Sequence, residues 1–258
     1  MILLDVAREY LAPLRGRLAH DAVLHANVPP PQARAMFGDC VMRPMLPQRY
    51  GIANGIAFSQ DAGQPPLEGL LVFDALHHLP LGRQYPVELV YALLEVSAYL
   101  DAADFELRLR AIEQFKRLRR EKSSAYDVSP IHHLRMFGAR YAQLSDDQLN
   151  PALGYVFADE SHAPELVYEQ LNAALKNDQL RAEHSPDAIF GLKGGWMIAR
   201  QTRTGELAVP RSSFSKFGLY RPGSDLVVWA YFLLNAALSQ VQLRAPDLLR
   251  PLVGLTKH

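Results

Sequence analysis

Residues 67–100 read LEGLLVFDALHHLPLGRQYPVELVYALLEVSAYL, and they contain two apolar segments that decide the fold. The segments are Leu70–Phe73 and Leu89–Val96, with Asp74 directly after the first and Glu95 inside the second. An uninterrupted apolar run such as Leu70–Phe73 is typical of a strand that is covered on both faces of a sheet. Because an unpaired carboxylate is costly to remove from water, each acid is expected to have a partner or a metal ion.

The rest of the chain predicts helices and further strands around this pair. Apolar residues at helical spacing indicate helices over residues 2–24, 32–46, 101–121, 164–175 and 225–243. Apolar segments predict strands over residues 50–58, 70–73, 87–97, 153–158, 187–192 and 196–200, with a short edge at 207–209 and a loop over 75–86. Pro13 predicts a kink or a split in the first helix. The pattern favours the α/β class, with a central mixed sheet flanked by helices.

Composition and charge exclude several classes of protein. The 27 basic and 27 acidic residues balance, which gives no support for broad nucleic-acid affinity and leaves only a local basic patch open. Cys40 is the single cysteine, so no disulfide can form within the chain, and a reducing, cytoplasmic location is expected. No apolar run is long enough to cross a membrane, and the N-terminus carries charges too early for a signal peptide.

The helix over residues 101–121 has the clearest pattern. Asp101 is placed to cap its N-terminus, and Asp104 supports the first turn. One apolar stripe consists of Phe105, Leu109, Ile112, Phe115 and Leu118. The basic residues at its end are Lys116, Arg117, Arg119, Arg120 and Lys122. They either complement the helix dipole in solvent or form a patch that contacts phosphates.

The order of elements and several short motifs resemble the restriction-endonuclease-like PD-(D/E)xK superfamily. Between about residues 34 and 118, the chain is similar to an uncharacterised bacterial family of predicted nucleases in that superfamily. The matching motifs are Arg34-Ala35, Leu46-Pro47, Arg49-Tyr50-Gly51, Gly69 through Phe73-Asp74, Glu88, Glu95-Val96-Ser97 and Lys116. The resemblance implies a single domain over residues 1–258, with N-terminal helices over 1–46, a nuclease-like core over 47–122, and completing strands and helices over 123–258.

In that superfamily an internal Asp and the Glu of a Glu-x-Lys motif bind a divalent metal, and the lysine stabilises the developing charge. This sequence keeps Glu95, but the lysine position holds Ser97, the internal Asp position holds Gly69, and an early-helix Glu position holds Ala35. Glu68 is no simple substitute for the missing Asp, because adjacent residues of a strand point to opposite faces. The resemblance therefore implies a nuclease framework with lost catalytic positions.

An active, rearranged site remains as the alternative. Asp74, Glu95 and Lys116 would be its catalytic residues, and Asp74, Glu88 and Glu95 would hold Mg²⁺ or Mn²⁺. Each acid also has a structural interpretation: Asp74 begins a turn, Glu88 is an exposed acid at a strand end, and Glu95 is buried against an arginine.

Two functions follow from these interpretations. The first is a non-catalytic binding module that needs no cofactor and acts in bacterial defence, toxin neutralisation or a mobile element. Its partner is expected to be another protein, with nucleic acid and a second copy of the chain as alternatives. The second is an active metal-dependent nuclease. The neutral charge balance favours the protein-binding module.

Overall fold

In a computed structural model, the protein is described over residues 2–20, 30–59, 63–76, 82–120, 152–205, 207–208 and 216–239. Within these ranges one sheet of eight strands has the order β3-β1-β2-β4-β5-β6-β7-β8. The strands are β1 (Tyr50–Phe58), β2 (Leu67–Asp74), β3 (Gln84–Pro86), β4 (Val90–Leu100), β5 (Leu153–Ser161), β6 (Ala188–Gly191), β7 (Trp196–Gln201) and β8 (Lys216–Tyr220). The helices are α1 (Ile2–His20), α2 (Pro30–Phe37), α3 (Ala102–Arg117), α4 (Pro164–Lys176) and α5 (Leu226–Ser239).

The sheet is mixed. Its centre, β4-β5-β6, is parallel, as is the β1-β3 pair, whereas the β1-β2, β2-β4, β6-β7 and β7-β8 pairs are antiparallel. A parallel pair needs a long crossover, and α3 lies on the connection from β4 to β5. The predicted α/β class with a central mixed sheet and flanking helices is confirmed.

Helices cover both faces of the sheet, and each face has its own apolar core. On one side, here called the α5 face, α1, α2 and α5 pack on strand residues such as Leu94 and Val96. On the other side, here called the α3 face, α3 and α4 pack on residues such as Leu93 and Val156. Side chains alternate between the two faces along β4, so Glu95 belongs to the α3 face with Leu93.

The predicted features of α3 are confirmed. Asp101 caps the helix, because its Oδ1 accepts a hydrogen bond from the Asp104 backbone N–H at 2.8 Å. The five residues of the predicted apolar stripe, from Phe105 to Leu118, are all buried. The helix itself ends at Arg117, before the predicted residue 121.

The first two helices follow the prediction in extent, but Pro13 does not split the first one and the second changes its helical type. α1 runs through Pro13, which is exposed, so water can satisfy the carbonyl group that the proline leaves without a donor. The second helix ends at Phe37 and continues as a π turn over Gly38–Met42 and a 3-10 turn over Arg43–Met45, which contains Pro44.

Two further differences concern the strands. The predicted strand over 87–97 starts only at Val90, because Val87–Leu89 form a 3-10 turn closed by the Val90 N–H. The short strands β3 and β8 were not predicted at all. At the predicted edge over 207–209, Leu207 forms a single bridge with Gln201, and residue 209 lies outside the described residues.

Among the described helices, none has the length and apolarity needed to cross a membrane.

Candidate functional site

Glu95 lies in the middle of β4 and is almost completely buried, with 3% of its surface exposed. Its Oε2 accepts a hydrogen bond from Nη1 of Arg108 in α3 at 2.9 Å. A buried carboxylate needs such a countercharge, because its desolvation is otherwise uncompensated. Of the two interpretations of Glu95 in the sequence, the structure shows the contact with an arginine.

Arg108 brings a second carboxylate and a hydroxyl into the same cluster. Its Nη2 and Nε donate to Oδ1 and Oδ2 of Asp104, one turn earlier in α3, at 2.6 and 3.3 Å. The Ser97 hydroxyl also donates to Oδ2 of Asp104, at 2.6 Å. All three guanidinium nitrogens of Arg108 therefore bond to carboxylates, and Ser97 at the family's lysine position belongs to the same network.

Gly69 lies beside Glu95 on the neighbouring strand. Leu70 pairs with Leu94 and Leu71 with Leu93, so the same antiparallel register brings Gly69 opposite Glu95. A Cβ atom built on Gly69 would lie 3.8 Å from Oε1 of Glu95. The position at which the resemblance implies a metal-binding Asp is therefore adjacent to Glu95, but it carries no side chain.

The space above Gly69 is filled by an apolar side chain. The Cδ1 atom of Leu93 would be only 2.3 Å from a Cβ atom at Gly69. Glu68 does not replace the missing acid, because its side chain turns away and accepts a hydrogen bond from Arg83 at 2.8 Å. The predicted alternation of Glu68 and Gly69 is thus observed.

Helix α2 contributes a second positive charge. Arg34 donates to the backbone carbonyl of Glu68 at 3.5 Å, and its charge acts on Glu95. The next residue, Ala35, at the position where the resemblance implies a Glu, is exposed to solvent. The cluster around Glu95 therefore combines the carboxylates of Glu95 and Asp104 with the guanidinium groups of Arg108 and Arg34.

Burial and the two arginines act in opposite directions on the charge of Glu95. Burial raises the pKa of Glu95, while the hydrogen bond and charge of Arg108 and the charge of Arg34 lower it; the net pKa is raised. Burial lowers the pKa of Arg108, but its bonds to Asp104 and Glu95 outweigh this effect and leave that pKa raised. Arg108 is therefore a permanent cation at the centre of the site.

A divalent metal does not fit this arrangement of residues. Both carboxylates are directed at Arg108, and unit charges 4 Å apart repel by about 4 kcal/mol at an effective dielectric constant near 20, with about twice that for a divalent ion. Among the described residues, no group of three His, Cys, Asp or Glu side chains is arranged to hold a metal ion. The site as folded is an ion-pair network.

Asp74 lies apart from this network, on the α5 face. Its Oδ2 accepts a hydrogen bond from the hydroxyl of Tyr91 at 3.1 Å, and its Oδ1 accepts one from the backbone N–H of Leu76 at 2.9 Å. The second bond closes a turn, as the structural interpretation of Asp74 expects. Since Glu95 belongs to the α3 face, the structure does not bring these two acids together.

Glu88 lies in the 3-10 turn before β4 and is fully buried. The interpretation of Glu88 as an exposed acid at a strand end is therefore wrong, because the chain forms a turn before β4 begins and the Glu88 side chain is buried there.

Lys116 belongs to a second buried ionic network at the other end of α3. Its Nζ donates to Oδ2 of Asp187 at 2.8 Å and to the carbonyl of Ser185 at 2.7 Å. Asp187 also pairs with Arg200, whose Nε lies 3.1 Å from Oδ1, and it accepts a bond from the Gly154 N–H at 2.8 Å. Burial lowers the pKa of Lys116 to about 8, and the charge of Arg200 adds to this, against the effect of Asp187.

Lys116 follows Arg108 by two helical turns, so the two side chains serve different networks on the same helix. The structure therefore does not bring Lys116 together with Asp74 and Glu95.

The predicted phosphate contacts at the end of α3 have separate environments. Arg117 pairs with Glu113 at 2.6 Å, and Arg120 donates to the carbonyl of Val90 at 2.7 Å. The backbone N–H of Arg119 donates to Gln64 at 2.7 Å, and Lys122 lies outside the described residues. Lys116 is buried and cannot contribute to an exposed basic surface, whereas Arg117 and Arg119 are exposed, so a phosphate contact by these two arginines stays a prediction.

Sequence reasoning missed the residues that neutralise the buried acids, namely Arg108, Asp187 and Arg200. Arg108 had a signal: it follows Asp104 by four residues, so both lie on one side of α3 beside the apolar stripe. Asp187 and Arg200 had none, because their pairing depends on the register between neighbouring strands.

Comparison with solved structures finds the same fold in NucC proteins. NucC of P. aeruginosa ATCC27853 in its cAAA-bound form has a TM-score of 0.65 and 17% sequence identity, over 99% of this chain and 98% of that chain. NucC of E. coli MS115-1 in its cAAA-bound form has a TM-score of 0.66 and 18% identity, over 98% and 97%. The apo form of the latter has a TM-score of 0.65 and 16% identity, over 97% and 98%. No family model and no curated protein sequence matches the chain. The chain therefore has a NucC-like endonuclease fold.

Proposed function

We propose that this chain is a non-catalytic member of the PD-(D/E)xK fold that acts as a binding module in bacterial anti-phage defence. The observation that carries the proposal is the environment of Glu95. Gly69 and Ser97 stand where the resemblance implies a metal-binding Asp and a lysine, and Arg108 neutralises Glu95 in their place. The similarity to NucC supports a nuclease fold used in defence.

Another protein is the proposed partner. The chain has no net charge, and Arg108, the arginine at the centre of the site, is engaged with Glu95 and Asp104. Nucleic-acid binding depends on cations that are available to phosphates, so a protein surface is the better match. A cytoplasmic location belongs to the same proposal.

The proposed surface for such a partner is formed by α1 and α5, although Leu107 of α3 and Leu166 of α4 are also exposed. Val6 and Tyr10 of α1 and Trp229 of α5 are large apolar side chains with 56%, 64% and 38% exposure. A second copy of the chain is one candidate for this surface, and light scattering at several protein concentrations tests that assembly.

The active nuclease is the alternative function. Glu95 is present and the fold is that of nucleases, but the catalytic set of Asp74, Glu95 and Lys116 would have to act from two faces of the sheet and two separate networks. Because the three predicted catalytic residues lie in separate places, the non-catalytic binding module is favoured.

A nuclease assay on the purified chain tests the proposal. Plasmid DNA, single-stranded DNA and RNA are incubated with Mg²⁺ or Mn²⁺, with and without cAAA, because cAAA is bound in two of the similar structures. We expect the wild type and Glu95→Ala to be equally inactive. Glu106→Ala, which removes an exposed acid of α3, is the matched control. Metal-dependent cleavage by the wild type and by this control, but not by Glu95→Ala, would establish the active nuclease instead.

A pull-down with mass spectrometry on the same preparation then identifies the partner. A binding module predicts that a defined protein is retained at stoichiometric amounts and that binding resists nuclease treatment. Loss of the bound protein after nuclease treatment would assign the module to nucleic acid.

A further inference from the structure

The cluster around Glu95 has the composition of a cation site, but its cation belongs to the chain. Two carboxylates from different elements, Glu95 of β4 and Asp104 of α3, converge on the guanidinium of Arg108. The Ser97 hydroxyl bonds to one of these carboxylates. Carboxylate and hydroxyl oxygens around one positive charge are also the ligands that Mg²⁺ and Mn²⁺ take in proteins.

We infer that Arg108 substitutes for a divalent cation at Glu95, so that the site is neutralised by the chain itself and does not respond to metal. This inference rests on the proposed non-catalytic function and gives it a physical cause. Loss of the metal-binding Asp and the lysine removes chemistry, but it leaves a buried Glu95 that still requires positive charge. Arg108 supplies that charge with directed hydrogen bonds.

Burial shows why the positive charge of Arg108 stabilises the fold. The side chains of Glu95, Arg108 and Asp104 are 4%, 22% and 21% exposed, so water solvates Glu95 very little. Removing one member of a buried ion pair is strongly destabilising, because the remaining charge is buried without compensation. Without Arg108, the two carboxylates of Glu95 and Asp104 would have only the charge of Arg34 nearby, so the cluster would carry a net negative charge that favours an added cation.

Leu93 prevents an acidic side chain of β2 from joining the cluster around Glu95. It occupies the space that a carboxylate at Gly69 would need, so no further acidic ligand can reach Glu95 from β2 without displacing Leu93. A chain with this packing depends on Arg108 instead of a bound ion.

Metal binding measured without catalysis tests the inference. Mn²⁺ is titrated into the wild type, Arg108→Ala and Arg108→Met by calorimetry, and thermal unfolding is followed with Mn²⁺ and with EDTA. We expect no Glu95-dependent Mn²⁺ binding and no shift of Tm in the wild type. We expect the Arg108 variants to have a lowered Tm that Mn²⁺ raises, with at least about tenfold tighter Mn²⁺ binding than in the wild type.

The matched control is Arg110→Ala, which removes an exposed arginine of the same helix that pairs with Glu106 four residues earlier. It is expected to behave as the wild type. Adding Glu95→Gln to Arg108→Ala should abolish the response to Mn²⁺.

Each result decides the inference. Glu95-dependent Mn²⁺ binding by the wild type overturns it, and so do Arg108 variants that neither bind Mn²⁺ nor regain their fold when Mn²⁺ is added. Nucleic-acid cleavage by the wild type would overturn the proposed function as well. An inactive wild type with unresponsive Arg108 variants would overturn only the role of Arg108.

Discussion

At the scale of single residues, Gly69 and Leu93 show how tightly the sheet is packed beside Glu95, at the position where the resemblance implies a metal-binding Asp. Leu93 is fully buried and fills the volume beside Gly69. Restoring an Asp at Gly69 therefore requires more than a change of one residue, because the new side chain must displace Leu93 before it reaches Glu95. The packing of Leu93 therefore leaves no room for a larger side chain at Gly69.

This packing predicts a coupling between the two positions. Gly69→Ala should lower the free energy of unfolding by about 1–3 kcal/mol, because its methyl group overlaps the side chain of Leu93. Leu93→Ala alone should cost about 2–5 kcal/mol through the cavity that it leaves. The double variant should lose less than the sum, which a double-mutant cycle in urea measures.

Additive losses would contradict the overlap. Gly16→Ala is the control, because a Cβ atom at this helical position meets no other atom within 4 Å. It should stabilise the chain by about 0.5–1 kcal/mol.

Lys116 predicts a pH dependence with a defined sign. Its pKa is about 8 in the folded chain against 10.5 for an ordinary lysine, so between these values the unfolded chain holds more protons. The contribution of Lys116 to the free energy of unfolding should therefore rise with pH over this interval, by at most about 1.4 kcal/mol per pH unit. Urea unfolding at several pH values measures this contribution. The difference in the free energy of unfolding between the wild type and Lys116→Met should change steadily as the pH rises.

A difference that is flat over this interval would contradict the prediction. Lys193→Met is the comparison, since bonds to Glu160 and Asp159 raise the pKa of Lys193 to about 12 and keep it protonated in the folded chain throughout this range. The corresponding difference for Lys193 should stay nearly constant from about pH 8 upward until the unfolded lysine begins to lose its proton near its ordinary pKa of 10.5.

At the scale of elements, α3 connects the two ionic networks. Its first half carries Asp104 and Arg108 to Glu95, and its last turn carries Lys116 to Asp187. The position of this helix along β4 and β5 therefore determines both sets of contacts. Its N-terminus is fixed by the Asp101 cap, which is not matched in α4, where Ala163 makes no side-chain cap bond.

The difference between these caps gives a paired prediction. Asp101→Ala should lower the free energy of unfolding by about 1 kcal/mol, because the Asp104 N–H loses its acceptor. Ala163→Asp should raise it by up to about 1 kcal/mol, because an acceptor is added where none exists. Urea unfolding monitored by circular dichroism measures both, and a neutral Asp101→Ala would show that the cap does not stabilise α3.

The elements also show what sequence could predict. Strands β1, β2, β4 and β5 and helix α3 were recognised because their apolar residues follow one period over many positions. Strand β3 has only three residues, and β8 contains Gly218 and is only partly buried, so pairing with neighbours defines them and no local pattern does. For the same reason, Glu95 could be recognised in the sequence and its partner Arg108 could not. An acid stands out in an apolar segment, but the arginine thirteen residues later reaches it only through the turn between β4 and α3.

At the scale of the whole molecule, the sheet joins all described helices into one structure. The α3 face and the α5 face share β4 and β5, whose alternate residues belong to the two cores. The similarity to NucC also extends over the whole chain and not only over residues 47–122. A division into separately folding parts would have to break these shared central strands.

This sharing predicts that the chain unfolds in one cooperative transition. Leu11→Ala removes a buried side chain from the α5 face, and Phe105→Ala removes one from the α3 face. Each should lower the free energy of unfolding of the same transition by about 2–5 kcal/mol, because neither core can persist without the central strands. Near-ultraviolet and far-ultraviolet circular dichroism should give coincident urea curves for the wild type and both variants. If Phe105→Ala produced a separate early phase while Leu11→Ala shifted only the later one, the two faces would be independent units, and Arg108 on α3 could then leave Glu95 without unfolding the sheet.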